Sequence, residues 1–263
     1  MDATLAILIF LFVIGLVIGS FLNVCIYRVP LRMSVTKPLR SMCPHCERQL
    51  TWYENIPVAA WMVLGAKCRT CKNPISGQYP LVEILSGFAM VASFIFTENI
   101  PTAVLIYILT ATLIVITFID LEHKIIPNRI SYPGIIIGLC IGAVQQFYPI
   151  FTYPITTGML DSVYGFLLGG GFFYVIGEVY YYATKRDGLG GGDIKLMAMT
   201  GALLGWRSIP PTIFVGSLAG AVIGILLMVF RGADRQLEIP FGPWLSLGVL
   251  TYIFGDLPFF RFY

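Results

Sequence analysis

The sequence predicts an all-α polytopic membrane protein of about eight transmembrane helices, with both termini outside and one long polar loop that carries four cysteines. Three observations lead there. Of 263 residues, 57% are hydrophobic and only 12% charged. Soluble domains run at about 45–50% apolar and about 25% charged, and one core cannot bury so much apolar surface, so a soluble enzyme is excluded. The apolar residues gather into eight segments that reach or approach the roughly 20 residues of a spanning helix. Lys and Arg fall almost entirely in alternate loops.

In chain order the segments are 4–24, 81–96, 102–119, 131–147, 158–183, 194–204, 212–230 and 241–254. The sixth is short and glycine-rich, so a tilted or partly re-entrant helix fits it as well as a full crossing. The 27 glycines and 19 phenylalanines follow no Gly-X-Y period and suit packed membrane helices. Between the first two segments, residues 27–79 are polar, basic and numerous enough for a small folded unit. The expected organisation is a first helix (1–26), a loop domain (27–80) and a polytopic helical domain (81–263).

Orientation follows from the basic residues, because short loops rich in Lys and Arg stay cytosolic. The first loop holds Arg28, Arg32, Lys37, Arg40, Arg48, Lys67, Arg69 and Lys72. Alternate loops add Lys124 and Arg129, then Lys185, Arg186 and Lys195, then Arg231 and Arg235. Thus 15 of the 17 basic residues lie on one side, and only Arg207 and Arg261 lie opposite. With eight crossings this places the basic loops in the cytosol and both termini outside. Met1 to Phe10 contains no Lys or Arg, so the first segment reads as an uncleaved anchor and not a removable signal peptide.

The long loop contains Cys43-Pro-His-Cys46 and Cys68-Arg-Thr-Cys71. Each C-x-x-C pair can present two thiolates from one turn, and two such turns close a tetrahedral zinc site with no open position. A zinc-ribbon-like unit is expected, with a scaffolding role; disulfides or free thiols are the alternatives, disfavoured on a reducing cytosolic side. His45 reads as a loop histidine, and Cys25 and Cys140 as lone packing thiols.

Acidic residues are rare in membrane segments and each needs a reason. Asp120 ends the third segment and Asp193, after Gly190-Gly191-Gly192, opens the sixth. The topology puts both at the cytosolic edge of the bilayer, where two carboxylates on different helices can meet. Such a pair shares a proton, because two like charges do not ionise together cheaply. One carboxylate then activates water while the other protonates the scissile amide, which is aspartic proteolysis. By itself Asp193 also fits an ordinary N-cap. Helix dipoles favour an ionised Asp193 at a helix N-terminus and a protonated Asp120 at a C-terminus. Glu83, opening the second segment, is a candidate for gripping the ammonium of a substrate or cofactor, or else a snorkelling or capping carboxylate. Glu178 reads as structural. His123 and Lys195 flank the aspartates, and Lys195 is a possible substrate or cofactor contact.

Taken together, these residues resemble the bacterial type IV prepilin leader peptidases, membrane proteases with a Gly-x-Gly-Asp aspartate. The resemblance runs through Gly19-Ser-Phe-Leu-Asn23, Tyr27-Arg-Val-Pro30, Arg40-Ser-Met-Cys-Pro-His-Cys46, Asn55-Ile-Pro57 and Lys67-Cys-Arg-Thr-Cys71. It continues in Tyr79-Pro-Leu-Val-Glu83, Asp120 to Asn128, Gly190 to Leu196, Gly201-Ala-Leu-Leu-Gly-Trp206 and Pro240-Phe-Gly-Pro243. The sequence departs at Gln78, where the family pattern has Arg. The resemblance implies that Asp120 and Asp193 are the catalytic pair, that Gly190 and Gly192 shape the active-site turn, and that Cys43, Cys46, Cys68 and Cys71 form the family's tetracysteine metal site. It also implies prepilin or pseudopilin substrates cut after a Gly at the cytosolic face of a bacterial inner membrane. The full cysteine loop is similar to that of bifunctional members, which methylate the new N-terminal residue with S-adenosylmethionine. Partners are then the substrates and the lipid bilayer, with no nucleic acid. Rival readings are an intramembrane aspartyl protease without methylation, against which the cysteine loop argues, and an ion-coupled transporter, which would place its polar residues near the midplane.

Overall fold

The computed structural model describes residues 3–38, 40–97, 99–185, 190–231 and 240–255. Of the basic residues used for orientation, Arg186, Arg235 and Arg261 lie outside them. The described residues are helical throughout apart from turns and two isolated β-bridges. Ten α-helices run in order: α1 Ala3–Arg28, α2 Ala59–Val63, α3 Gln78–Ile95, α4 Ile100–His123, α5 Asn128–Phe147, α6 Met159–Phe166, α7 Phe172–Thr184, α8 Gly191–Leu204, α9 Ile209–Arg231 and α10 Gly242–Phe254.

Six helical stretches are long and apolar enough to cross a membrane: Thr4–Arg28, Gln78–Ile95, Ile100–His123, Asn128–Phe147, Met159–Thr184 and Trp206–Phe230. They match six of the eight expected segments. The other two are α8 and α10, with 14 and 13 residues. At 1.5 Å per residue each is about 20 Å long, short of the roughly 30 Å hydrocarbon thickness. The fifth segment is helical but not uniform. Leu167–Gly171, Leu-Leu-Gly-Gly-Gly, forms a π-turn between α6 and α7, and it packs closely on α8: a Cβ on Gly169 would lie 2.3 Å from the Met197 carbonyl oxygen.

The chain divides into two compact units, Met1–Phe96 with Tyr107–Val115, and Thr97–Ile106 with Ile116–Tyr263. In the first, α1 and α3 pack along most of their length. Gly15 and Gly19 make this possible: a Cβ on Gly15 would lie 2.7 Å from the Gly87 Cα, and one on Gly19 would lie 2.6 Å from the Glu83 Cα. Such close backbone contact is the membrane substitute for hydrophobic driving force between helices. Ser86 Oγ donates to the Gly15 carbonyl at 2.7 Å, and Asn23 Nδ2 donates to the Tyr79 carbonyl at 3.0 Å.

In the second unit α8 is the central element. Every residue from Leu196 to Leu204 is buried, as expected for a helix apolar on all sides. It is packed by α5, α6, the π-turn and α10. At the α6–α8 crossing, a Cβ on either Gly165 or Gly201 would lie 2.0 Å from the carbonyl oxygen of the other. Ser162 Oγ locks the same crossing by donating to the Ala202 carbonyl at 2.7 Å. The helix that carries Asp193 at its start is therefore gripped from Leu196 to its end.

Candidate active site

Asp120 lies in the last turn of α4. That helix ends at His123, followed by a left-handed Lys124 whose N–H returns to the Asp120 carbonyl at 2.9 Å. The Asp120 side chain is only 5% exposed. Its Oδ2 accepts a 2.9 Å hydrogen bond from the backbone N–H of Gly242, the first residue of α10. No side chain fits there, since a Cβ on Gly242 would stand 2.7 Å from that oxygen.

Asp193 lies in the first turn of α8. The N-cap is Gly190, in extended conformation, so Asp193 is the third helical residue and not the cap. Its N–H donates to the Gly190 carbonyl at 3.0 Å, and its Oδ2 folds back to 3.0 Å from where a Gly190 Cβ would stand. At 9% exposure it too is buried. The two acids are brought to one place by a shared neighbour, Ile126. Ile126 is the spacer. A Cβ on Gly192 would meet the Ile126 Cβ at 2.9 Å, and one on Gly242 would meet its Cδ1 at 3.3 Å. The glycine before Asp193 and the glycine bonded to Asp120 thus close on one buried isoleucine. Chemically, the site offers two buried acids, one with a fixed backbone donor, and no basic side chain between them among the described residues.

The flanking residues are occupied elsewhere. Lys195 Nζ donates to Asn128 Oδ1 at 2.8 Å and sits 5.3 Å over the Tyr132 ring. His123 is exposed and lies 3.9 Å from Glu122. Glu178 is half-buried on α7, Cys25 is half-buried, and Cys140 is exposed.

The four cysteines come together in the first unit. All four Sγ atoms lie within 4.8 Å of one another, with Cys43 and Cys71 at 3.8 Å. Bonds of about 2.3 Å to a tetrahedral zinc would place sulfurs about 3.8 Å apart, so the donor set fits a metal. All the cysteines are free thiols in this arrangement. Each pair is built identically. The Glu47 and Lys72 amides return to the carbonyls of Cys43 and Cys68, with Glu47 and Lys72 themselves at positive φ. Antiparallel bridges Met42 with Gln49 and Lys67 with Pro74 close the two knuckles. Backbone N–H groups of Cys71 and Thr70 draw the Cys68 thiol down to about 6. The Asn73 N–H favours a Cys71 thiolate, but burial and the other three sulfurs outweigh it and push that thiol up to about 11. Four clustered thiols cannot all ionise alone, and a bound cation removes the conflict.

Arg48 braces the first knuckle. Its guanidinium pairs with Glu54 at 2.6 and 3.1 Å, and Glu54 also accepts from the Thr51 N–H at 2.9 Å. Arg48 and the Thr51 bonds hold the Glu54 carboxyl down at about 2. Sequence reading missed this pair; its signal is the Thr51-x-x-Glu54 capping box. Glu83 is buried in α3 and accepts the Val58 N–H at 2.7 Å.

The bacterial peptidase A24 N-terminal domain matches residues 13–97, and the type IV leader peptidase family matches residues 107–225. The first match contains the four cysteines and Glu83, the second both aspartates. Among similar proteins, the prepilin leader peptidase/N-methyltransferase of Myxococcus xanthus is 41% identical over 228 residues, covering 85% of this chain and 64% of that protein. The protein of the same name from Aeromonas hydrophila is 34% identical over 95% of this chain and 90% of its own length. That of Pseudomonas aeruginosa is 32% identical, over 92% and 89%. No solved structure matches. With two family models in tandem, and relatives aligned across nearly its whole length, the chain belongs to the bacterial type IV leader peptidase family, peptidase A24.

Proposed function

We propose that the chain is an aspartic endopeptidase that removes the leader of type IV prepilins and pseudopilins, cutting after a Gly at the cytosolic face, and then methylates the new N-terminal residue. One observation carries the peptidase reading: two buried aspartates, held beside Ile126 at the end of α4 and the start of α8 within one packed unit. One carboxylate takes a proton from water as the water oxygen attacks the scissile carbonyl carbon. The other gives its proton to the amide nitrogen as the C–N bond breaks. Helix dipoles alone make Asp193 the base. The Gly242 N–H donated to Asp120 weighs the other way, because it stabilises the carboxylate form there. We assign Asp120 as the base and Asp193 as the acid.

Gly190 and Gly192 supply the turn. Gly190 leaves room for the Asp193 carboxylate, and Gly192 lets α8 close on Ile126. The bias of Lys and Arg towards alternate loops supports a multi-pass protein of the inner membrane with these aspartates at the cytosolic edge. That depth suits a substrate whose short leader precedes a membrane helix. The substrate's helix then stays in the bilayer while the bond is cut. Zinc is the ion we assign to Cys43, Cys46, Cys68 and Cys71, in a closed structural site.

The methylation reading follows the names of the relatives, and S-adenosylmethionine supplies the methyl group when bound. Incubating the full chain in lipid vesicles with a prepilin, and weighing the product by mass spectrometry, tests both halves. The expected product begins just after the Gly and gains one methyl group when S-adenosylmethionine is present. Intact prepilin contradicts the peptidase half; a cleaved but unmethylated product contradicts the other.

A further inference from the structure

Within the first unit, a cavity of about 530 Å³ lies between the C-terminal end of α1, the N-terminal end of α3 and the two cysteine knuckles. Its size falls within the roughly 300–1,000 Å³ of small-molecule sites. Tyr27, Trp61 and Tyr79 are on its wall. Trp61 is fixed there by its indole N–H, which donates to the Ile75 carbonyl at 3.1 Å. Aromatic rings in a concave site suit a planar heterocycle.

The wall's most unusual group is Glu83, 6% exposed. Glu54, also on the wall, is matched by Arg48. Glu83 has no Lys or Arg ion pair among the described residues. Its partners are the Val58 N–H and the Ser20 hydroxyl, which orient the carboxylate without neutralising it. Burying a carboxylate without a counter-charge is costly, and a cationic ligand would meet that cost.

The backbone also departs from the ordinary here. Val58 has φ 60° and ψ −51°, and Ala59 N–H bonds back across it to the Pro57 carbonyl. This is a γ-turn with positive central φ, a rare and strained form for any residue and more so for a β-branched one. Strain of this kind persists where surrounding contacts over-determine it, and it clusters at ligand sites. Here it aims the Val58 N–H at Glu83, on the cavity wall.

We propose that this cavity binds the methyl donor S-adenosylmethionine, with Glu83 as the counter-charge to the donor's cationic methionine end and the aromatic wall receiving its adenosine. The inference rests on the methylation reading above and adds the residues that would hold the donor. It makes no use of Asp120 or Asp193, which belong to the second unit.

Equilibrium binding to the full-length protein in lipid nanodiscs tests the proposal without any turnover. Two probes are compared: S-adenosylmethionine, and methylthioadenosine, which carries the same adenosine and no positive charge. In Glu83→Gln, which keeps an oxygen for Val58, the charged probe should bind at least about tenfold more weakly while the neutral one shifts by less than about twofold. Equal weakening of both probes, or of neither, overturns the role of Glu83. Metal stoichiometry equal to wild type certifies that the variant is folded. If it is not, Ala60→Trp, which fills the cavity wall, should abolish binding of both probes, and undiminished binding there removes the cavity assignment. Wild-type protein that binds neither probe would contradict the methylation reading itself, a result distinct from either of these.

Discussion

The backbone N–H of Gly242 and the carboxylate of Asp120 are joined by a 2.9 Å hydrogen bond across 122 residues of sequence. It ties the start of α10 to the end of α4 and gives one of the two acids a fixed donor. Because a Cβ on Gly242 would stand 2.7 Å from the same oxygen, Gly242→Ala should displace the carboxylate while leaving the helices in place. A lost hydrogen bond to a charged group is worth about 1.5–3 kcal/mol, so the cleavage rate should fall by roughly 10- to 100-fold. The check is prepilin cleavage in vesicles, with wild-type thermal stability as the control; a rate within about twofold of wild type would show that the bond is dispensable.

Gly165 and Gly201 test the support of α8. Their contact is backbone to backbone, at 2.0 Å for an added Cβ, and neither carbonyl can move aside as a flexible side chain would. Gly201→Ala should therefore cost at least the about 1–3 kcal/mol typical of overpacking and lower the melting temperature. An unchanged melting temperature would mean that the crossing has room for a methyl group.

Metal content tests the four-cysteine cluster. Wild-type protein should carry one zinc per chain, and a Cys43→Ser/Cys68→Ser double variant should carry none. Both cysteines also wall the cavity, so the double variant should bind S-adenosylmethionine more weakly. Stoichiometric zinc surviving the double substitution would remove the site.

The Arg48–Glu54 pair predicts a pH dependence. The Glu54 carboxyl is held at about 2 in the fold, below the ordinary value near 4.3. Its contribution is therefore complete above about pH 4.3 and is lost as the pH falls through about 2. Hydrogen exchange of the knuckle amides of Cys43 and Leu50 should thus be protected equally at pH 7 and pH 5, and less so in acid below about pH 4. Glu54→Gln should shrink that acid step, leaving only the part due to protonation of the metal-binding cysteines; an acid step of the same size in the variant would assign it wholly to another group.

How far these features can be read from sequence depends on how local they are. Asp120 and Asp193 stand out because charges are scarce in apolar segments, and the cysteine spacing alone brings four sulfurs to one centre. Helices appear where the apolar runs lie; α10 is too short for the full crossing expected of it, and α8, at 14 residues, fits the re-entrant alternative that its short glycine-rich segment left open. What stayed hidden is tertiary. Pro240-Phe-Gly-Pro243 is recognisable as a motif, but nothing local says that Gly242 donates to Asp120. Val58 reads as an ordinary valine, and nothing local says that it forms a γ-turn or that Glu83, 25 residues on, receives its N–H. Lys195 flanks Asp193 in sequence, yet Asn128 and Tyr132 hold its side chain. One local signal was legible and overlooked: Gly15-Leu-Val-Ile-Gly19, a small-xxx-small pattern that marks the α1 face packed on α3.

The central claim is that Asp120 and Asp193 act together on the scissile bond. Its most direct test is prepilin cleavage by membranes containing Asp120→Asn or Asp193→Asn at wild-type expression levels. Each single variant should lose cleavage by at least about a thousandfold, because removing either acid of a shared pair disables the proton traffic of both. Cleavage at the wild-type rate by either variant would contradict the account.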